Sequence, residues 1–138
     1  MSVVKSKRTE SKLEVLLVAN QIAEYTIRIC SNEKSFPKRY RWCLTNKLVD
    51  LAMDINNMVQ EANAIYVKTA SDYQIRRDLQ TKALASTYSL LSDIDLAHRI
   101  FGIDGRRIDR WVGQVTHEQI LIRNWRKADA ERYKSIMG

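Results

Sequence analysis

Turn-forming residues are scarce: 138 residues contain four glycines and one proline. A β-sandwich or barrel of this length needs many more turns than that, so the scarcity favours helices. Long apolar runs are missing too. The longest stretch without a charge is residues 83–92, well short of the roughly 20 residues that span a bilayer. Residues 1–8 are polar and basic, and no apolar stretch with a small-residue cleavage site follows. A secretory signal is therefore not expected, and the chain reads as cytoplasmic, with no membrane partner. Cys30 and Cys43 are the only cysteines, too few for a disulfide framework and expected to be reduced in the cytoplasm. They flank the first expected turn at similar distances, so a bridge is the geometric alternative to two core thiols. There is no glycine-rich phosphate loop, no HExxH, no CxxC and no Ser/His/Asp order. The sequence thus offers no catalytic residue and no cofactor site, and the expectation is a protein that is not an enzyme.

What is present is an apolar content of 45%, enough for a core in one domain of this size. Residues 1–10 read as a flexible basic leader and 11–138 as the folded domain. Ser11-x-x-Glu14 is a capping-box pattern opening a first helix. Leu13, Leu16, Leu17, Ala23, Ile27 and Cys30 follow at helical spacing, and Asn20 interrupts them as a candidate buried register residue. Pro37 suits the first turn of a second helix running to about residue 67; Leu44, Leu48, Leu51, Ile55, Met58 and Ala62 form its stripe. A third helix spans about 72–101, capped by Ser71, with Leu79, Leu84, Leu91, Ile94 and Phe101 among its apolar positions. Gly102 and Gly105 end it. A fourth opens near 104–106 and ends near 134, marked by Ile108, Trp111, Val112, Val115, Leu121, Ile122 and Trp125, with Gly113 and Thr116 loosening its middle. Short connections force neighbouring long helices to run oppositely, so the expected fold is an all-α, antiparallel up-down-up-down four-helix bundle. Val15, Ile22, Ile29, Val49 and Ile65 lie off the main stripes and suggest a second buried face, hence an oligomer.

The net charge is +7, which favours a polyanionic partner. In the expected topology the first and third connections share one end. Lys34, Lys38, Arg39, Arg41 and Lys47 meet Arg99, Arg106, Arg107 and Arg110 there, against Asp104 and Asp109. The opposite end gathers the leader (Lys5, Lys7, Arg8, Lys12), Arg76 and Arg77, and Arg123, Arg126, Lys127, Arg132 and Lys134. The acids Glu24, Asp50, Asp54, Asp93 and Asp95 fall nearer the waist. Two cationic ends make a candidate surface for phosphate backbones, with Lys38, Arg39, Arg41, Arg76, Arg77, Arg106, Arg107 and Arg110 as the binding residues. Tyr40 and Trp42, set among the cations, are candidate stacking residues for nucleic-acid bases or, alternatively, packing residues. Trp111 and Trp125 read as core. No continuous groove-reading helix emerges, so sequence-specific readout is not expected.

Asp95-x-x-His98 resembles half of a bundle metal site. A second half is missing, because His117 and Glu118 are adjacent and point apart, and nothing fixes the facing of Glu24 or Asp54. No metal site is expected.

Residues 36–44, Phe-Pro-Lys-Arg-Tyr-Arg-Trp-x-Leu, with the Leu48/Leu51/Ile55 stripe behind them, resemble a family of small four-helix bundles. It includes the accessory variability determinant (Avd) proteins of diversity-generating retroelements and the bundles encoded in intervening sequences of bacterial 23S rRNA genes. The Arg107-Ile108-x-Arg110-Trp111-Val112-Gly113 stretch is similar to the last helix of the Avd branch. The resemblance covers the chain in helix order, though its sharp motif is short. It implies a pentameric barrel with a cationic surface that binds RNA or DNA, associates with the retroelement's reverse transcriptase and supports mutagenic cDNA synthesis without being an enzyme. Lys38, Arg39, Arg41, Arg107 and Arg110 are the positions that carry over. The basic leader and the basic segment after Trp125 depart from the pattern. Two other classes stand beside this one: a structural or protein-interaction bundle without nucleic acid, and a metal-dependent bundle enzyme.

Overall fold

The computed structural model describes residues 3–137, with side chains from Leu13 onward. Helix covers 87% of the chain, and no strand occurs among the described residues. Four long helices carry the fold: α1 (Val3–Cys30), α2 (Asn46–Ala64), α3 (Ala70–Phe101) and α4 (Gly105–Arg132), followed by a single turn, α5 (Lys134–Met137). Helix α2 packs on α1 and α3, and α4 packs on the same two. No described helix is long and apolar enough to cross a membrane.

Boundaries differ from expectation where local chemistry intervenes. Helix α1 starts at Val3, inside the segment read as a leader, so Ser11 sits within the helix rather than capping it. The leader's side chains (Lys5, Lys7, Arg8, Lys12) lie outside the described residues. Ahead of α2 the chain forms a 3-10 turn at Lys38–Tyr40 and a π turn at Arg41–Thr45, so no regular helix runs on from Pro37. Helix α3 is capped two residues before Ser71: Thr69 Oγ1 accepts from the Asp72 amide, and Asp72 Oδ2 accepts from the Thr69 amide. These reciprocal bonds satisfy two amides that the helix start leaves open. Amides of Lys68 and Thr69 hold the Asp72 carboxyl below its usual range. Gly102 ends α3 in the left-handed conformation (φ 63°), where a Cβ would be strained. Helix α4 passes through Gly113 and Thr116 without a break.

The α1 stripe is the clearest correction. Its buried residues are Val15, Val18, Ala19, Ile22, Thr26 and Ile29, joined at the edge by Ala23 and Cys30, while Leu13 is 60% and Leu17 57% exposed. Ile27 and Asn20 also face solvent. Val15, Ile22 and Ile29, expected on a second buried face, form the core, whereas half of the expected stripe (Leu13, Leu17 and Ile27) is exposed and only Ala23 and Cys30 of it are buried, with Leu16 packed at the core's edge. Helix α2 follows its stripe more closely: Leu44, Leu48, Ile55 and Ala62 are buried with Ala52 and Val59, and Leu51 and Met58 flank them.

Buried apolar residues form two clusters. One runs from Phe36, Ile103 and Trp111 through Leu48, Ile94 and Val115. The other joins Val15, Ala19, Val59, Ala62, Ala83, Ile122 and Trp125. Thr87 separates Ala83 from Leu90 on α3, and Glu118 and Gln119 separate Val115 from Ile122 on α4, so a polar layer divides the core. Gln119 Nε2 donates to Thr87 Oγ1 at 3.1 Å. Glu118 is fully buried, and neither carboxylate oxygen has a hydrogen-bond partner. Desolvation, aided by the nearby charge of Glu14, raises its pKa from the ordinary 4.5 to about 9, so it stays protonated at neutral pH. Both cysteines are free thiols, and burial pushes Cys30 up to about 12, which makes it unreactive.

Candidate nucleic-acid interface

The cationic end is held by an aromatic cluster. After α1, Phe36 turns inward, its amide donating to Asn32 O at 2.8 Å. Its ring lies edge-on to Phe101 (5.3 Å) and Trp111 (6.1 Å). Trp111 Nε1 donates to the buried Thr26 Oγ1 at 2.9 Å, so the indole fills the core without leaving its N–H unsatisfied. The Tyr25 hydroxyl donates to Arg107 O at 3.1 Å. These contacts bind the end of α1, the segment before α2, the end of α3 and the start of α4 into one block.

Cations line the outside of that block. Lys38, Arg39, Arg41, Arg106, Arg107 and Arg110 are all exposed. Two of them rest on aromatic rings: Arg39 lies 5.1 Å from the Tyr40 centroid and Arg110 4.9 Å from that of Tyr25. A cation over a ring face gains electrostatic attraction while staying solvated. Arg107 Nη1 donates weakly to Ser35 Oγ at 3.4 Å. Glu33 tempers the cluster, reaching Lys38 at 3.3 Å and Arg41 at 3.9 Å. These pairs are solvent-exposed and weak, so a polyanion can displace the carboxylate. Asp104 is occupied as the α4 cap, accepting from the Arg106 amide at 3.0 Å, and Arg99 pairs with Asp95 at 3.1 Å.

The two candidate stacking residues separate. Tyr40 packs on Phe101 at 5.2 Å and lies under Arg39, so it is a packing residue and not an open platform. Trp42 is 78% exposed.

The far end departs from expectation. Arg76 was expected on the surface but is buried: its Nε donates to Asp129 Oδ2 at 2.6 Å and its Nη2 to Oδ1 at 3.1 Å, with the two side chains 3% and 4% exposed. Gln80 Nε2 donates to the same carboxylate at 2.8 Å, and Trp125 lies 5.0 Å from the guanidinium carbon. Burial of this charge requires such a partner, and Asp129 takes both prongs of the fork, leaving nothing for a phosphate. Arg77 is half-buried and donates to the Tyr73 hydroxyl at 3.1 Å. It stands near the start of α3, with most of that helix between it and Phe101.

The metal candidates are scattered. Asp95 pairs with Arg99, His117 Nε2 donates to Glu14 Oε1 at 2.8 Å, and Glu118 is in the core. No group of three metal-ligating side chains meets among the described residues. Lys47, Asp50, Asp54 and Asp93 line a cleft of about 440 Å³ along the waist, where the acids oppose a polyanion.

Sequence reasoning missed Tyr25 as a platform and Glu33 as a counter-charge. Glu33 stands one residue before Lys34 and was countable. Tyr25 was not, because its role appears only when α1 meets α4. No protein-family model, no curated protein and no solved structure matches the chain.

Proposed function

We propose that this protein is a non-catalytic accessory subunit that binds RNA or DNA through the end formed by residues 31–45 and 101–111. The observation carrying this reading is six exposed cations, Lys38, Arg39, Arg41, Arg106, Arg107 and Arg110, and an exposed Trp42, all on segments that the Phe36, Phe101 and Trp111 rings lock together. In this reading the four helices form an antiparallel up-down-up-down bundle. Contacts at Glu14–His117 and Thr26–Trp111 support opposite senses for α1 and α4, as Arg76–Asp129 and Thr87–Gln119 do for α3 and α4. The sequence resemblance extends the proposal to a cytoplasmic homopentamer serving the reverse transcriptase of a diversity-generating retroelement.

The test is filter binding of RNA and DNA, with Arg39, Arg41, Arg107 and Arg110 each replaced by Glu. Loss of retention with an unchanged helical melting curve supports the proposal; retention that is salt-insensitive and unaffected by the substitutions removes it. A reverse transcriptase gene beside a variable and template repeat pair is the corresponding genomic test.

One observation favours a second reading, a bundle whose role is protein interaction. Leu13, Leu17 and Ile27 of α1 and Met53 of α2 are exposed apolar residues. Light scattering distinguishes an oligomer that covers them from a monomer that offers them to another protein.

A further inference from the structure

The proposed reading leaves the form of the nucleic acid open, and the inference here rests on that reading. We infer that the cationic end binds unpaired strands, with one base stacked on the Trp42 indole and the neighbouring phosphates on Arg39 and Arg41.

Three observations converge on Trp42. First, of the three tryptophans only this one is exposed: Trp111 and Trp125 are buried while Trp42 is 78% exposed. A wet indole forgoes the burial that would stabilise the fold, and its near neighbour Tyr40 is packed against Phe101. Second, the ring is presented on an anchored turn. Trp42 is the second residue of the π turn Arg41–Thr45, closed by the Asn46 amide donating to Arg41 O. Leu44 and Thr45 in the same turn are buried, and Cys43 Sγ donates to Tyr40 O at 3.5 Å. The backbone that carries the ring thus has little conformational freedom left to lose on binding, and such wide turns recur at functional sites. Third, the sequence neighbours are cations: Arg41 immediately precedes Trp42 in the chain, and Arg39, Lys38 and Lys47 lie within five residues of it.

The combination suits a single strand. In a duplex both faces of each base are stacked, and a protruding ring reaches one only by unstacking a step. An unpaired base offers its face freely, and stacking on an aromatic ring beside cations is tolerant of sequence. A duplex would use the phosphate contacts alone and leave Trp42 idle.

The experiment uses the full chain with a short uridine oligonucleotide, its thymidine counterpart and a duplex of the same length, read by tryptophan emission and by anisotropy of labelled strands. Both single strands should quench the emission and bind more tightly than the duplex. Trp42→Ala should abolish the quench and weaken single-strand binding by roughly 5- to 150-fold, the span of one stacked base, while leaving duplex binding unchanged. Trp42→Phe should retain most of the affinity, and melting curves of both variants should match the parent because the ring is outside the core. Duplex binding as tight as single-strand binding, or wild-type single-strand affinity in Trp42→Ala, overturns the inference. In that case binding that still falls on reversing Arg39 and Arg41 leaves the proposed function standing. Absence of binding to all three probes at low salt overturns both.

Discussion

At the end built from residues 31–45 and 101–111, arginines and Trp42 stand in solvent. At the end where α3 begins and α4 finishes, Arg76 is withdrawn into the core and neutralised by Asp129. The same residue type is held in solvent at one end and built into the core at the other. What differs is the surroundings. Phe36, Phe101 and Trp111 fill the first end with rings and leave its cations outside. At the second end the α3 seam runs through Tyr73, Arg76 and Gln80, so an arginine occupies a core position and a carboxylate must come with it. Net charge therefore overstates the surface available to a polyanion.

The comparison breaks most visibly at the buried pair. Asp129→Ala leaves Arg76 charged and unpaired, and it should lower unfolding free energy in urea by about 3–5 kcal/mol. Replacing both partners with apolar residues of similar volume should restore most of that loss. A small effect of Asp129→Ala would mean that the two ends are alike after all.

Between the ends sits Glu118. Its folded pKa, about 9, is above the ordinary 4.5, so the fold favours the protonated form. Its contribution is fully present below about pH 4.5 and is lost as pH rises towards 9. Glu118→Gln should flatten that pH dependence and raise stability at pH 8 by roughly 2–4 kcal/mol. Parallel stability–pH curves for the two proteins would contradict it.

Effects on the exposed end should be on binding, with little on folding. Arg39→Glu with Arg41→Glu should weaken nucleic-acid binding on the order of 10- to 100-fold and flatten its salt dependence, with stability changed by no more than about 0.5 kcal/mol. Smallest of all, Glu33→Gln frees Lys38 and Arg41 from their carboxylate and should tighten binding about two- to fivefold. A loss of affinity in Glu33→Gln would mean that the carboxylate organises the site instead of competing for it.

Much of the fold was legible because its signals are local. Four long helices, the αL glycine at 102, the α2 stripe and the opening of α4 near residue 104 each follow from neighbours within a few residues. The α1 face was not legible. Leu13/Leu17/Ile27 and Val15/Ile22/Ile29 both recur at helical spacing, and only packing against α2 and α4 decides that the smaller, β-branched set goes inward. Arg76 was misread for a similar reason: its partner lies 53 residues away on α4. Lys38, Arg39, Arg41, Arg106, Arg107 and Arg110 were placed together from connection order alone. The division between Tyr40 and Trp42 needed the π turn, which no spacing rule announces.

The central claim is that only one end of the molecule engages a polyanion. Its most direct measurement is anisotropy titration of a labelled single-stranded RNA at fixed salt with two charge-reversed proteins. One carries Glu at Arg39, Arg41, Arg107 and Arg110, and the other at Arg77, Arg123, Lys127 and Arg132. The account predicts that binding collapses in the first protein and stays within a few-fold of wild type in the second. Equal losses in both, or undiminished binding in the first, would contradict it.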